Sequence, residues 1–239
     1  MSLPFERLEA VFLDVGGTLV TVDHARIASV LAEEGVGASE DQLARAEAAA
    51  RPALSAAIVA SGRPAEGFFA LFVRATLTEL RARFGIDARH CEAAILARAV
   101  PPPGRSDELW RRPVPGAARA LARLKEAGFP LVAVSNSDGS AARSLAHAGL
   151  AQFFDAVIDS HIVGVAKPDP AIFSHAFAAC PAAPERTVYL GDIYAGDIPS
   201  ARGAGLHAAL VDPYGDYGDV DCPTFRDVDA FADALLAGL

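Results

Sequence analysis

Four clusters of polar residues, each placed after an apolar run, could together handle an anionic ligand. Asp14 follows residues 10–13, Ser135 and Asn136 follow residues 131–134, Lys167 lies in the loop beyond Ile158, and Asp192 and Asp197 follow residues 188–190. Two carboxylates at neighbouring strand ends, Asp14 and Asp192, suit Mg²⁺, a hard ion that takes a few protein oxygens and fills its shell with water and phosphate oxygens. A carboxylate held beside such an ion can attack phosphorus, splitting one difficult displacement into two easier ones. A nearby hydroxyl and ammonium would offset the charge on the transferring group. Singly, each residue also reads as a cap, a turn or a solvated charge. Four at strand ends fit a site along one edge of a parallel sheet.

The elements that must position them can be read from composition and period. An apolar run at residues 10–13 ends at Asp14 and a Gly16-Gly17 turn, as a buried strand leading into a loop does. From Asp23 to about Pro101 the chain becomes rich in Ala, Leu, Arg and Glu, and helical periodicity replaces strand-like runs. Four helices are expected there: residues 24–34; residues 40–60, after Ser39 as N-cap and with a kink or break at Pro52; residues 65–84, closed by Gly85; and residues 88–100, ending at the Pro101–Gly104 linker. After Pro113, helices (116–127, 139–148, 170–179, 195–204, 228–236) alternate with strands (130–134, 156–158, 187–190, 208–211). Such alternation implies a parallel sheet covered on both faces. The strand at 10–13 is expected to join this sheet across the helical insert. The predicted fold is α/β, a Rossmann-like parallel-sheet core of residues 1–20 and 109–239 with an all-helical cap domain at 21–108.

Composition narrows the partners. The net charge is −9 and Lys125 and Lys167 are the only lysines, so no basic face could neutralise a run of phosphates and nucleic acid is not an expected partner. Cys91, Cys180 and Cys222 are odd in number and lack CxxC spacing, which predicts reduced buried thiols. The N-terminal residues have no basic segment followed by an apolar stretch, and no run approaches 18 apolar residues. A cytoplasmic protein that does not use a membrane is the expectation; the oligomeric state is not set by these features.

The segments Asp14-Val15-Gly16-Gly17-Thr18-Leu19, Val134-Ser135-Asn136, Ala166-Lys167-Pro168-Asp169 and Gly191-Asp192 with Asp197 resemble, in order, the four motifs of the haloacid dehalogenase-like hydrolase superfamily. The resemblance extends over the whole chain, and the helical insert looks like that family's type 1 cap. It implies Asp14 as nucleophile, forming an aspartyl-phosphate, and Ser135 and Lys167 as catalytic partners. Ser135, Asn136, Lys167, Gly17 and Thr18 become the substrate-binding set. Asp14, the Gly16 carbonyl and Asp192 would bind Mg²⁺, and Asp197 would orient Lys167 or a metal-bound water. A small phosphorylated metabolite is the implied substrate.

One position departs from the phosphatase pattern. Phosphatases of this superfamily usually carry a second aspartate two residues after the nucleophile, where it protonates the leaving alcohol and then activates water; here that residue is Gly16. A general acid/base is worth about 10² to 10⁴ in rate. Asp14 alone is therefore expected to act best on leaving groups that need no proton, such as acyl phosphates, phosphoanhydrides or aryl phosphates. Three other readings compete. A haloacid dehalogenase needs no proton donor, yet such enzymes normally have tyrosine at that position and lack the acidic pair of motif IV. A phosphonatase uses a cap lysine, and the insert has none. A phosphoryl-ligand or partner-binding relative would keep the metal site without turnover.

Other residues could complete the site from the mouth or the cap. Asp23, His24, Asp138, His161 and Tyr194 lie near the expected mouth, although solvated loop positions are the better reading for each. Arg26, Arg45, Arg51, Arg63 and Arg74 could meet an anion, but on helices rich in Arg and Glu they are expected to face solvent. Phe68, Phe69 and Phe72 are expected in the core of the cap rather than on a substrate wall.

Overall fold

The computed structural model describes residues 3–61, 67–99 and 109–238. Among the described residues there are eight strands: β1 (Ala10–Leu13), β2 (Val20–Val22), β3 (Trp110–Pro113), β4 (Leu131–Ser135), β5 (Ala156–Asp159), β6 (Thr187–Gly191), β7 (His207–Val211) and β8 (Thr224–Phe225). Six form one sheet in the order β5-β4-β1-β6-β7-β8, with every neighbouring pair parallel. β1 lies between β4 and β6, so the first strand does join the sheet across the insert. Leu13 pairs with Ala133 on one side and Leu190 on the other. That register brings Asp14, Ser135 and Asp192 to one edge, at the point where the chain turns from one side of β1 to the other.

Alternation along β1 sends its side chains to opposite faces of the sheet. Val11 and Leu13 join a core with Leu121 and Leu124 of α5 (Ala117–Glu126), Leu145 of α6 (Ala141–His147) and Phe231 of α10 (Val228–Ala237). Ala10 and Phe12 enter a second core with Ile172 and Phe173 of α8 (Ile172–Ala179) and Ile198 of α9 (Tyr194–Gly203). Short α7 (Ser160–Val163) follows β5. With both faces covered, β1, β4 and β6 are buried along their whole length, which explains their near-continuous apolar runs.

The helical segment has a third core of its own. Leu31 of α1 (His24–Glu33), Leu43 and Leu54 of α2 (Glu40–Ser61), Phe72, Leu77 and Leu80 of α3 (Phe68–Phe84), and Ile95 of α4 (Glu92–Ala99) pack together. Ser39 and Gln42 cap α2 reciprocally, each side chain accepting from the other's backbone N–H at 3.2 and 2.9 Å. Gly85 ends α3 in the left-handed conformation. No break occurs at Pro52: α2 runs through it without interruption, its packing against α3 and α9 holding the turn together. A short 3₁₀ turn, Arg89–Cys91, precedes α4. The expected linker at Pro101–Gly104 lies outside the described residues.

Two features were not expected. β2 and β3 form an antiparallel ribbon where the chain leaves the sheet and where it returns; runs of three and four residues, one of them largely exposed, carry little periodicity. β8, two residues long, extends the sheet beyond β7. Arg45 of α2 makes a two-pronged ion pair with Asp216, in the loop after β7, at 2.7 Å for both nitrogens, and Arg83 of α3 reaches the same carboxylate at 2.8 Å. All three cysteines are buried free thiols. No helix among the described residues is long and apolar enough to cross a membrane.

Candidate active site

Lys167 is the hub of the sheet edge. Its side chain is 4% exposed, and Nζ lies 2.6 Å from Asp14 Oδ1, 2.7 Å from Asp197 Oδ1, 2.5 Å from the Tyr189 hydroxyl and 3.1 Å from the Val134 carbonyl. Burial disfavours the ammonium, but the charges of Asp14 and Asp197 outweigh it and hold Lys167 protonated. Asp197, in the first turn of α9, also accepts from the Ile193 N–H and the Tyr189 hydroxyl at 2.8 and 3.0 Å. Burial, with the charge of Asp197 adding, pushes Asp14 up to about 6 even though Lys167 pulls the other way.

Asp192 is met by a residue of the helical segment. Arg51 of α2 places Nε 3.1 Å from Asp192 Oδ2 and donates from Nη2 to the Gly17 carbonyl at 3.1 Å. Its Nη1 is buried with no hydrogen-bond partner. Behind Arg51, Glu47 lies 4.0 Å away and binds His24 at 2.6 Å and the Thr21 hydroxyl at 3.2 Å. Burial, with Asp14 and Asp197 nearby, raises Asp192 well above the usual carboxylate range despite Arg51.

Two glycines permit this crowding. Gly17 has φ +74°, and a Cβ there would fall 2.1 Å from Asp192 Oδ2; a Cβ at Gly191 would fall 2.4 Å from the Asp197 carboxyl carbon. Three buried carboxylates, Asp14, Asp192 and Asp197, thus face two side-chain cations, Lys167 and Arg51. A deficit of positive charge and a set of hard oxygens from Asp14, Asp192 and the Gly16 carbonyl fit a divalent cation such as Mg²⁺. Among the described residues no cluster of three or more acidic, His or Cys side chains is arranged to hold a metal, so water and ligand oxygens would complete its shell, as Mg²⁺ commonly requires.

A cavity of about 840 Å³ opens over this floor, lined there by Asp14, Gly16, Ser135, Asn136, Lys167, Asp192 and Asp197. The convergence expected from the sequence is thus present, with corrections. Asn136 lines the cavity, but its side-chain amide is engaged with Lys167, donating to the Lys167 carbonyl and accepting from its N–H, both at 2.8 Å. Its visible work is to fix the backbone that carries the ammonium. Gly17 and Thr18 do not line the cavity: the Gly17 N–H donates to the Val20 carbonyl at 2.8 Å, and Thr18 is fully buried with Oγ1 unpartnered. Of the five mouth candidates only Asp138 is in the lining. Asp23 caps α1, His24 binds Glu47, His161 is exposed, and the Tyr194 hydroxyl donates to Asp221 at 2.6 Å.

The helical side differs most from expectation. Arg51 is 7% exposed and enters the cavity instead of facing solvent, whereas Phe72 lies in the helical core and Phe68 and Phe69 pack against it as expected, the three also forming part of the cavity wall. Arg45 and Arg74 pair with Asp216 and Glu92, Arg26 donates to the Arg98 carbonyl at 3.3 Å, and Arg63 lies outside the described residues. Tyr189 and Glu47 were not foreseen. Tyr189 sits in an apolar strand whose pattern gives no hint of a polar role, and Glu47 reads as one more surface acid on an Ala-rich helix.

A profile of the haloacid dehalogenase-like hydrolases matches residues 8–205. The chain belongs to that family. It is 35% identical over 100 residues to haloacid dehalogenase-like hydrolase domain-containing protein 3 of Xenopus laevis, a match covering 42% of this chain and 41% of that protein. It is 33% identical over 152 residues to a glyceraldehyde 3-phosphate phosphatase of Methanopyrus kandleri, covering 62% of this chain and 63% of that one. The chain therefore spans less than two thirds of the length of these curated relatives. Among solved structures, the HAD-hydrolase YfnB from Bacillus subtilis bound to magnesium superposes with a TM-score of 0.64 at 19% identity, covering 96% of this chain and 99% of that one. At that identity the likeness is one of fold. The family is one of hydrolases, and the curated relatives that the chain matches include proteins named as phosphatases.

Proposed function

We propose that the chain is a Mg²⁺-dependent phosphohydrolase that acts on a small phosphorylated metabolite through an aspartyl-phosphate at Asp14, with residues 1–20 and 109–239 as its core and 21–108 as its cap. The observation that carries this reading is the 2.6 Å contact between Lys167 Nζ and Asp14 Oδ1 beneath a cavity that Ser135 and Asp192 also line. Lys167, tied also to Asp197, leaves Asp14 oriented by one oxygen with the other available for attack. Ser135, at the end of β4 and in the cavity lining, would donate to a phosphoryl oxygen. Buried Nη1 of Arg51 is a further unspent donor on the same side.

Asp14 would form a bond to phosphorus as the bond to the leaving oxygen breaks, the electron pair departing with that oxygen. Water then attacks the same phosphorus, Asp14 recovers its carboxylate, and inorganic phosphate and a proton are released. Mg²⁺, when held by Asp14, Asp192 and the Gly16 carbonyl, supplies positive charge to the phosphoryl oxygens. Preorganised Lys167, fixed by four partners, would add its own positive charge there without reorganising during the reaction.

The test is covalent trapping. Brief incubation with a phosphoryl donor, acid quench and peptide mass spectrometry should place phosphate on Asp14, and Asp14→Asn should lose both the adduct and turnover. Phosphate release that survives Asp14→Asn unchanged, or halide release from 2-haloacids in place of phosphate turnover, would overturn the proposal.

A further inference from the structure

We infer that the substrate is the monophosphate of an apolar aromatic hydroxyl compound, whose oxygen leaves as an aryloxide without a proton from the protein. The inference deepens the phosphatase reading and rests on it. Two independent observations meet at one place. The first is the loop position two residues after the nucleophile, where Gly16 offers no donor. What stands there is a ring: a Cβ on Gly16 would lie 3.4 Å from Cζ3 of Trp110 and 3.7 Å from two neighbouring ring carbons.

The second is the wall that continues from that ring. Phe72 packs on Trp110 with centroids 5.4 Å apart, and Phe69 stacks on Phe72 at 6.0 Å with the planes 19° apart. Leu54 and Ile58 of α2 and Phe68 of α3 extend the surface. The cavity is therefore polar along the sheet edge, where a phosphate would bind, and apolar and aromatic on the helical side, where the rest of the substrate would lie. Ring faces and edges of this kind favour an aromatic partner over a polyol.

The chemistry of departure agrees with the shape. A phenol, with a pKa of about 10, leaves far more readily as an anion than an oxygen nearer the 15.7 of water. The Asp14 Oδ–P bond forms, the P–O(aryl) bond breaks, and the electron pair leaves on the aryl oxygen, which takes its proton from bulk water after release. Glu47, the carboxylate on the helical side, is engaged by His24 and Thr21.

Phenyl phosphate and cyclohexyl phosphate have similar size and apolarity but differ in the leaving oxygen, so their kcat/KM values test the inference directly in Mg²⁺ buffer. The expected preference for phenyl phosphate is at least about 100-fold, in line with an absent general acid, and 1-naphthyl phosphate should exceed glycerol phosphate by more. Gly16→Asp, whose Cβ would meet only ordinary contacts with the indole edge, should narrow the phenyl-to-cyclohexyl ratio to under about tenfold. Because Trp110 is the sole tryptophan, its emission should change on titration with phenylphosphonate, which should bind at least about tenfold tighter than methylphosphonate. Equal turnover of phenyl and cyclohexyl phosphates, or equal binding of the two phosphonates, would overturn this inference while leaving the phosphatase reading standing. No turnover of any phosphate and no adduct on Asp14 would remove both.

Discussion

Arg51 and Asp192 form a buried ion pair, Nε to Oδ2 at 3.1 Å, between the second helix and the end of the sixth strand. Their side chains are 8% and 6% exposed. The helical segment thus places a positive charge on the same carboxylate proposed to hold Mg²⁺, and cation and guanidinium must share it or divide it.

Replacing Arg51 by Met should therefore expose the coupling. Loss of one partner of a buried pair costs about 3–5 kcal/mol, so Arg51→Met is expected to lower the metal-free melting temperature measurably. Mg²⁺ should raise the melting temperature of the variant by more than that of the wild type, because Asp192 has lost its other cation. Equal shifts in the two proteins, read by calorimetry, would separate Arg51 from the metal.

Asp14 gives a pH dependence with a definite sign. Its folded pKa of about 6 lies above the ordinary 3.8, so between those values the folded chain holds more protons than the unfolded chain. The contribution of Asp14 to metal-free stability should fall as pH rises from about 4 to about 6 and stay low above that. Activity runs the opposite way, since only the carboxylate attacks. The acid limb of kcat/KM should sit near 6 at low Mg²⁺ and move lower as Mg²⁺ is raised; a limb indifferent to Mg²⁺ would place the ion away from Asp14.

Gly17→Ala should disable the site without replacing any charged group. The new Cβ would fall 2.1 Å from Asp192 Oδ2 at a φ of +74°, so Asp192 must move and the backbone is strained by about 1–3 kcal/mol. Expected outcomes are loss of stability in urea unfolding and at least a tenfold weaker apparent Mg²⁺ affinity. Gly37, where a Cβ meets nothing within 4 Å, should accept alanine with neither effect.

Tyr189→Phe removes a hydroxyl that accepts from Lys167 and donates to Asp197. A buried hydrogen-bonding group left unpaired costs about 1–3 kcal/mol. The variant should remain folded and lose roughly tenfold in kcat, with KM for the phosphate nearly unchanged, because the hydroxyl fixes Lys167 and does not line the cavity. A fall confined to KM would assign Tyr189 to binding.

The parts of this molecule that could be read in its sequence are those whose signal is local. Residues 131–134 and 188–190 are continuous apolar runs because both faces of the sheet are covered, and Asp14, Ser135 and Lys167 stand out against such neighbours. Arg51 was hidden by α2 itself: alanines at 46, 48, 49 and 50 bury several faces of the helix at once, so no polar stripe marks the side that meets the sheet. Tyr189 was hidden by its strand, where one hydroxyl does not disturb an apolar pattern. Phe68, Phe69 and Phe72 follow helical spacing whether they fill a core or line a void, and only the packing of α3 distinguishes the two.

The two-stranded ribbon has a mechanical consequence. Its strands are the outgoing and returning crossings of the chain, further tied by the Asp23 N–H to the Leu109 carbonyl at 2.8 Å and the Val114 N–H to the Leu19 carbonyl at 2.9 Å. The helices are consequently mounted on a single stiff stem instead of hanging from two loose cords. Trp110 begins one side of that stem, and a bridge from Gly16 to Val20 roots the other beside the nucleophile. The indole of the cavity wall and the loop carrying Asp14 are therefore fastened to one ribbon, which sets the surface that meets a ligand and the attacking oxygen in a common frame.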